Sequence, residues 1–224
     1  QVIIRAGFMA AVAAMQGNPV SVQHGAVPSG DEALGSIDVL KLAALAATAS
    51  SAASSTAYAV DAIVKEAVLF FATMPQPAGQ GSSEEVFKVF GLRAHTDARA
   101  AADACALTHQ LVAHDSSGNT GGSRGMGPGA GNGNVMAAVL AAGHVGTHAD
   151  RAAATAREAA QLCMGILEEA VQANASPLAR ETAKRCAEQA LNSIEVASIA
   201  EQHNKNLHDL IASLMLRSGE GPAR

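Results

Sequence analysis

The apolar residues of this 224-residue chain recur at intervals of three and four positions, the period of helices that bury one face. The clearest case is the segment from Glu84 to His114, where the pattern predicts two consecutive helices with a tight corner at 94–97. The first helix carries an apolar cluster, and the second carries an apolar stripe beside His109. The cluster is Val86, Phe87, Val89 and Phe90, and the stripe is Ala101, Ala104, Cys105, Thr108, Leu111 and Val112. If the stripe is buried, we expect the imidazole of His109 to face an apolar interior.

Cap and breaker residues predict the helical region that precedes this segment. It begins at Asp31, where Ser29 or Asp31 can accept hydrogen bonds from free backbone amides, and it runs to about Thr73. The Ser/Ala stretch at 48–57 is expected to divide it into two pieces. The region ends before residues 74–79, Met-Pro-Gln-Pro-Ala-Gly, which are expected to form an extended loop, because each proline disfavours helix in the residue before it.

A Gly-rich stretch, residues 115–133, separates the two halves of the helical pattern. It lacks a preceding strand and the glycine spacing of phosphate-binding loops, so we interpret it as a flexible linker. Helix is predicted to resume over 134–147, and to restart near Asp150 and run to about Asn174. The pair at 176–177, a serine N-cap followed by proline at the first helical position, then opens the last helix.

The last helix is predicted to run to about Arg217 and has a long apolar stripe at helical spacing. The stripe is either the spine of the second half of the protein or a surface for another protein. Its members are Ala187, Leu191, Ile194, Ala197, Ile199, Leu207, Leu210, Ile211, Leu214 and Met215.

Composition favours an all-α protein, because Ala is dominant and alternating β-branched and polar residues are almost missing. We expect a multi-helix basket or bundle in residues 31–224, with two lobes at about 31–114 and 134–217, behind an N-terminal extension of residues 1–30. Small side chains bury little area, so a partner, a second copy or an apolar ligand is expected to fill or cover the helices. Residues 1–15 are either an apolar anchor or the remnant of a targeting segment.

The charge and hydropathy of the chain argue against two features, nucleic-acid binding and a transmembrane helix. The net charge of −5 comes with no basic stripe, so nucleic acid is not expected to bind. No apolar run reaches the ~18 to 20 residues that a membrane-spanning helix requires, so no transmembrane helix is expected.

The sequence offers no residue set for catalysis, so the chain is not expected to be an enzyme. Its three cysteines include no Cys-x-x-Cys pair and are interpreted as small core residues rather than as a zinc site or a dense disulfide framework. His144 and His148 have the spacing of a helical metal pair, but no convincing further ligand lies nearby in the sequence. The glycosylation acceptor sequence at Asn174 is better explained by helix capping at Ser176.

Residues 84–113 resemble the repeat unit of the water-soluble peridinin–chlorophyll proteins of dinoflagellates. The text FKVFGLRAHTDARAAADACALTHQLVA has that family's order of a short amphipathic helix, a small-residue corner with an Asp, and an Ala-rich helix ending at a His. Similarity extends to VPSGD at 27–31, MPQPAG at 74–79 and VMAAVLAAGHVG at 135–146. The resemblance therefore covers about residues 27–147.

This resemblance implies an all-helical basket that holds chlorophyll a and peridinin or another carotenoid for excitation transfer. His109 corresponds to the second member of a histidine pair in that family, the one that holds the chlorophyll magnesium through a water. No side chain would therefore bind the metal directly. Thr108 replaces the first member of the pair. A His109 that simply packs at the helix edge, with a backbone or solvent partner, is the open alternative.

The resemblance also implies a setting and partners. The setting is the lumenal side of the chloroplast thylakoid, and the partners are photosystem I or its antenna proteins, or a second copy of the chain. A pigment-free structural subunit that docks on a photosystem is the alternative function.

Overall fold

The computed structural model describes residues 30–74, 83–118 and 130–219, with side chains described within 38–74, 84–114 and 134–217. The described part of the chain folds into helices, which confirms the predicted all-α class. The helices are α1 (Gly30–Thr73), α2 (Ser83–Gly118), α3 (Ala130–Gln172) and α4 (Pro177–Gly219). The predictions made for residues 1–29 and for the loop at 75–79 lie outside the described residues, as do residues 119–129 of the predicted linker.

Side-chain contacts show that consecutive helices run antiparallel. The rings of Phe71 and Phe87 lie 6.1 Å apart where α1 ends and α2 begins. At the other end of the bundle, the guanidinium of Arg217 on α4 donates to Asp38 on α1 at 2.6 Å. The residues from Leu34 onward form one compact unit in which the four helices pack together.

The core follows a strict heptad pattern. On α1 a buried residue recurs at alternating steps of three and four from Val39 to Phe70, and α3 and α4 keep the same alternation from Ala138 to Ala170 and from Ala179 to Ile211. A 3.5-residue period is typical of left-handed coiled-coil packing. Alanine is the commonest residue of this core, and larger side chains such as Val60, Ile63 and Val145 lie among the alanines. The buried alanines include Ala49, Ala53, Ala98, Ala101, Ala149, Ala152, Ala156, Ala190, Ala197 and Ala200.

Three predicted helix breaks are wrong, because α1, α2 and α3 are continuous through them. At 48–57 the hydroxyl groups bond to the carbonyl four residues earlier, as Thr56 does to Ala52 at 2.9 Å, so these polar side chains are satisfied within the helix. At the predicted corner 94–97, Thr96 bonds to the Leu92 carbonyl in the same way, and no proline or glycine interrupts the helix. Near 147–150, Thr147 bonds to the carbonyl of Gly143.

The junction between α3 and α4 confirms the predicted cap. Asn174 has a φ of 49°, and the Ala175 amide bonds back to the Ala170 carbonyl at 3.1 Å, the pattern of a Schellman helix end. Ser176 Oγ then accepts from the Ala179 amide at 3.2 Å, and Pro177 is the first residue of α4. This capping supports the structural interpretation of the segment around Asn174.

Candidate functional site

The outer surface of the bundle carries many large apolar side chains, while alanine is the commonest residue of the interior. Leu92 and Leu216 are 70% and 72% exposed, whereas alanines such as Ala149 and Ala152 are almost fully buried. Sequence reasoning placed several of these large residues inside, because it weighted Leu, Ile and Val above Ala. Thus Val86 and Val89 of the predicted cluster are exposed beside the buried Phe87 and Phe90.

The apolar stripe of α4 is divided between the core and the surface, so some members form part of the core, and the role of the others as a surface for another protein stays a prediction. Ala187, Ala197, Leu207 and Ile211 are buried, and Leu210 and Leu214 pack partly against the core. The exposed members are Leu191, Ile194, Ile199 and Met215.

One exposed apolar group follows the groove between α3 and α4. Arg157 donates to Glu201 at 2.6 Å across this groove. One heptad further along each antiparallel helix stand Met164 and Ile194, both exposed, so the two residues occupy the next level of the groove. Val171, one heptad beyond Met164, and Leu191, three residues before Ile194, are also exposed. The α3–α4 apolar surface comprises Met164, Val171, Leu191 and Ile194.

His109 is exposed, and the prediction that its imidazole faces an apolar interior is wrong. The stripe itself is largely buried: Cys105, Thr108 and Val112 stand at core heptad positions, and Ala104 and Leu111 are partly buried. His109 is one residue beyond Thr108, which turns it about 100° around the helix and out of the core. Its neighbours on the same outer face are Ala102, Ala106 and Ala113. They present an open strip and no enclosed site, so the residues present do not fit an interior chlorophyll.

Aspartate–histidine pairs connect each helix to the next around the middle of the bundle. Nε2 of His95 on α2 lies 2.6 Å from Asp61 on α1, and Nδ1 of His148 on α3 lies 2.9 Å from Asp97 on α2. The third pair is more distant, with Nε2 of His208 on α4 at 3.4 Å from Asp150 on α3. His148 therefore has a structural partner, whereas His144 of the predicted helical pair is exposed.

A shallow pocket lies between α1 and α2 beside the first of these pairs. Its volume is about 170 Å³. Tyr58 contacts His95 edge-to-face, with ring centroids 5.9 Å apart. Typical ligand pockets have volumes of roughly 300 to 1,000 Å³. The pocket is therefore too small for a pigment, and we assign it no ligand. Its lining residues are Ser54, Ala57, Tyr58, His95, Ala98, Arg99 and Ala102.

All three cysteines are buried, which confirms that they are core residues. Cys163 on α3 and Cys186 on α4 form a disulfide, with their Cα atoms 5.8 Å apart, and Cys105 is free. Burial raises the pKa of the Cys105 thiol above its ordinary value. The disulfide escaped the sequence analysis because its two cysteines meet only once α3 and α4 are paired in register.

Two further properties of the described residues concern membrane-spanning helices and metal-binding groups of side chains. Within these residues, no helix combines the length and the apolar composition needed to span a membrane, as predicted. Nor do the described residues contain a group of three or more His, Cys, Asp and Glu placed to hold a metal ion.

Comparison of the chain with family models, curated proteins and solved structures finds no match. The resemblance to the peridinin–chlorophyll proteins therefore stays a prediction.

Proposed function

We propose that the chain is a structural docking subunit: a helical bundle that presents apolar helix faces to a larger protein assembly. The observation that carries this proposal is the set of large apolar side chains exposed along the groove between α3 and α4, namely Met164, Val171, Leu191 and Ile194. Monomeric soluble proteins rarely leave large contiguous apolar patches in water, and such patches mark interaction sites. The α3–α4 apolar surface is the part of the bundle that we assign to docking.

Several features of the α3–α4 apolar surface suit a docking role. The disulfide between Cys163 and Cys186 fixes the two helices to each other at the same level. A fixed surface loses little conformational freedom on binding, which favours affinity. The Arg157–Glu201 pair borders the surface on one side and gives it a polar rim.

The partner that we propose is a membrane photosystem, photosystem I or its antenna proteins, on the lumenal side of the thylakoid. The support for this choice is the resemblance of residues 27–147 to a photosynthetic family. In this role the bundle needs no pigment, because its contribution is to hold protein surfaces together.

Binding to purified photosystem I–antenna particles in mild detergent tests the proposal. Replacing Val171 and Leu191 by Gln removes two side chains that are 64% and 60% exposed. Burial of apolar area is worth about 25 cal/mol per Å², so the pair is expected to weaken binding at least about tenfold. Tyr58→Gln is the matched control, since Tyr58 is 66% exposed on the α1–α2 side and should leave binding unchanged.

Two results would contradict this function. A wild-type chain that fails to sediment with the particles would remove the proposed partner. Equal losses in the double variant and in Tyr58→Gln would remove the α3–α4 apolar surface as the docking site.

Chlorophyll and carotenoid binding is the alternative function, with the exposed His109 offering its imidazole from outside the bundle. The absorption spectrum of the chain purified from its native source decides between the two functions. Pigment bands that His109→Ala abolishes would favour light harvesting, whereas a colourless protein would favour docking.

A further inference from the structure

The side-chain amide of a buried asparagine on α4 lies close to polar atoms of α3 and α4. Asn204 occupies a core heptad position and is only 1% exposed. Its Nδ2 lies 2.9 Å from the Gly146 carbonyl oxygen, 2.5 Å from Asp150 Oδ1 and 3.2 Å from His208 Nε2. Three potential acceptors on two helices therefore converge on a single amide nitrogen.

The hydrogen bonds of this cluster do not balance. The amide group of an asparagine has two N–H donors, so it cannot satisfy all three acceptors. Asn204 Oδ1 is buried and has no hydrogen-bond partner. Asp150 Oδ2 lies 3.4 Å from the same nitrogen of His208 that approaches the amide. When the proton of His208 is on Nδ1, the cluster contains more lone pairs than donors, and a positively charged species would balance it.

Three distances in the cluster, 2.9, 3.2 and 3.4 Å, are close to the spacing of ligands around one metal ion, and the 2.5 Å contact to Asp150 is shorter. Bonds of about 2.1 Å from a metal to nitrogen or oxygen place neighbouring ligand atoms about 3.0 to 3.4 Å apart, in octahedral or tetrahedral geometry. Rotation of the Asn204 side-chain amide by half a revolution exchanges the positions of Nδ2 and Oδ1. The oxygen would then lie 2.5 to 3.2 Å from the carbonyl, carboxylate and imidazole atoms of the cluster.

The lack of a Cβ at Gly146 leaves room for the side chains of Asn204 and His208 beside α3. A Cβ at Gly146 would lie 2.9 Å from His208 Cε1 and 3.0 Å from both His208 Nε2 and Asn204 Oδ1. By contrast, nothing lies within 4 Å of the corresponding position at Gly143 or Gly165 on the same helix. The outer side of the cluster is open to solvent, since the side chains of Asp150 and His208 are about half exposed.

We propose that Asp150, Asn204, His208 and the Gly146 carbonyl form a binding site for a divalent transition-metal ion. One imidazole nitrogen with three oxygens suits Zn²⁺, Co²⁺ or Mn²⁺, whereas Mg²⁺ and Ca²⁺ prefer all-oxygen ligands. Solvent would complete the coordination on the exposed side. The site joins α3 to α4 and is independent of the docking function.

Titration of the full chain, purified without a polyhistidine tag and treated with chelator, tests this site. Co²⁺ bound by nitrogen and oxygen absorbs visible light, and Zn²⁺ should displace it. We expect one Co²⁺ per chain. His208→Gln and Asp150→Asn should each weaken binding by more than about tenfold, the loss typical even of an outer-shell partner. Both side chains are partly exposed, so circular dichroism should show unchanged helix content.

His95→Gln is the matched control for this titration. His95 also pairs with an aspartate across two helices, and a Cβ at Gly91 would lie 3.4 Å from Asp61 Oδ1, but among the described residues no asparagine amide bonds to this pair. The His95→Gln variant should leave Co²⁺ binding unchanged. Gly146→Ala should weaken Co²⁺ binding, because the new methyl group displaces His208. No saturable binding at millimolar Co²⁺ would overturn the proposal. Equal losses in His95→Gln and His208→Gln would overturn it as well.

Discussion

Nδ1 of His148 on α3 lies 2.9 Å from Oδ1 of Asp97 on α2, and both side chains are largely shielded from water. Asp61 and His95 form a closer pair at 2.6 Å, but their side chains are about half exposed. Exposed ion pairs are worth about 0 to 1 kcal/mol, whereas hydrogen bonds to charged groups in partly buried positions contribute about 1.5 to 3 kcal/mol. Burial rather than distance should therefore decide which pair matters more for stability.

Asp97→Asn is expected to lower the free energy of unfolding by about 1 to 2 kcal/mol, and Asp61→Asn by less than about 1 kcal/mol. Urea denaturation followed by circular dichroism measures both. Equal effects of the two substitutions would show that shielding of the Asp97–His148 pair has no influence on stability.

Ala156→Leu is expected to destabilise the protein by about 1 to 3 kcal/mol, because Ala156 is fully buried and a leucine would force additional carbon atoms into a packed core. Ala154→Leu is the matched control, since Ala154 is exposed on the same helix. It should change the free energy of unfolding by less than about 0.5 kcal/mol. If Ala156→Leu instead stabilised the protein, the core would contain unfilled space in its middle layers.

Glycine-to-alanine substitutions on α3 should have opposite effects at different positions. Gly143→Ala and Gly165→Ala place the new methyl group in open space, so each should stabilise the helix by up to about 1 kcal/mol. Gly146→Ala should lower the melting temperature, because Asn204 is buried and cannot move away from the added Cβ. A rise in the melting temperature for all three variants would show that the Asn204 cluster is not tightly packed.

Reduction of the Cys163–Cys186 disulfide should destabilise the bundle. The cysteines are 23 residues apart in sequence. Closing a loop of that length is worth about 3 kcal/mol in the chain-entropy model. Denaturation with and without dithiothreitol measures the difference, and the double variant Cys163→Ala, Cys186→Ala should abolish the response. Dithiothreitol sensitivity that persists in this variant would contradict the assignment.

Cys105 should make the protein less stable as the pH rises into the alkaline range. Burial raises the pKa of this thiol in the folded state, so its contribution is complete below the pKa of the unfolded state. The contribution is lost as the pH rises through the folded-state pKa, where the buried thiol must ionise. Unfolding free energies of the wild type and of Cys105→Ala should therefore converge or cross at alkaline pH. Parallel curves for the two proteins would exclude this effect.

Sequence reasoning predicted the all-helical class and the cap at Ser176, because local spacing and cap chemistry determine these features. It misplaced helix breaks at 48–57, at 94–97 and near 147–150, where threonine hydroxyl groups bond within the helix. His109 was misjudged because one position on a helix separates a core residue from an exposed one. The aspartate–histidine pairs and the Asn204 cluster require the register of neighbouring helices, which no single stripe contains.

The alanine layers of α3 and α4 have a consequence for how the two helices find their alignment. A slide of one helix along the other by seven residues, about 10 Å, would again bring alanine against alanine over most of the interface. Hydrophobic burial alone therefore distinguishes poorly between the native alignment and its shifted copies. The Asn204–Gly146 contact and the Cys163–Cys186 disulfide form only in the native alignment, so they exclude those copies together with larger core residues such as Val145 and Leu207.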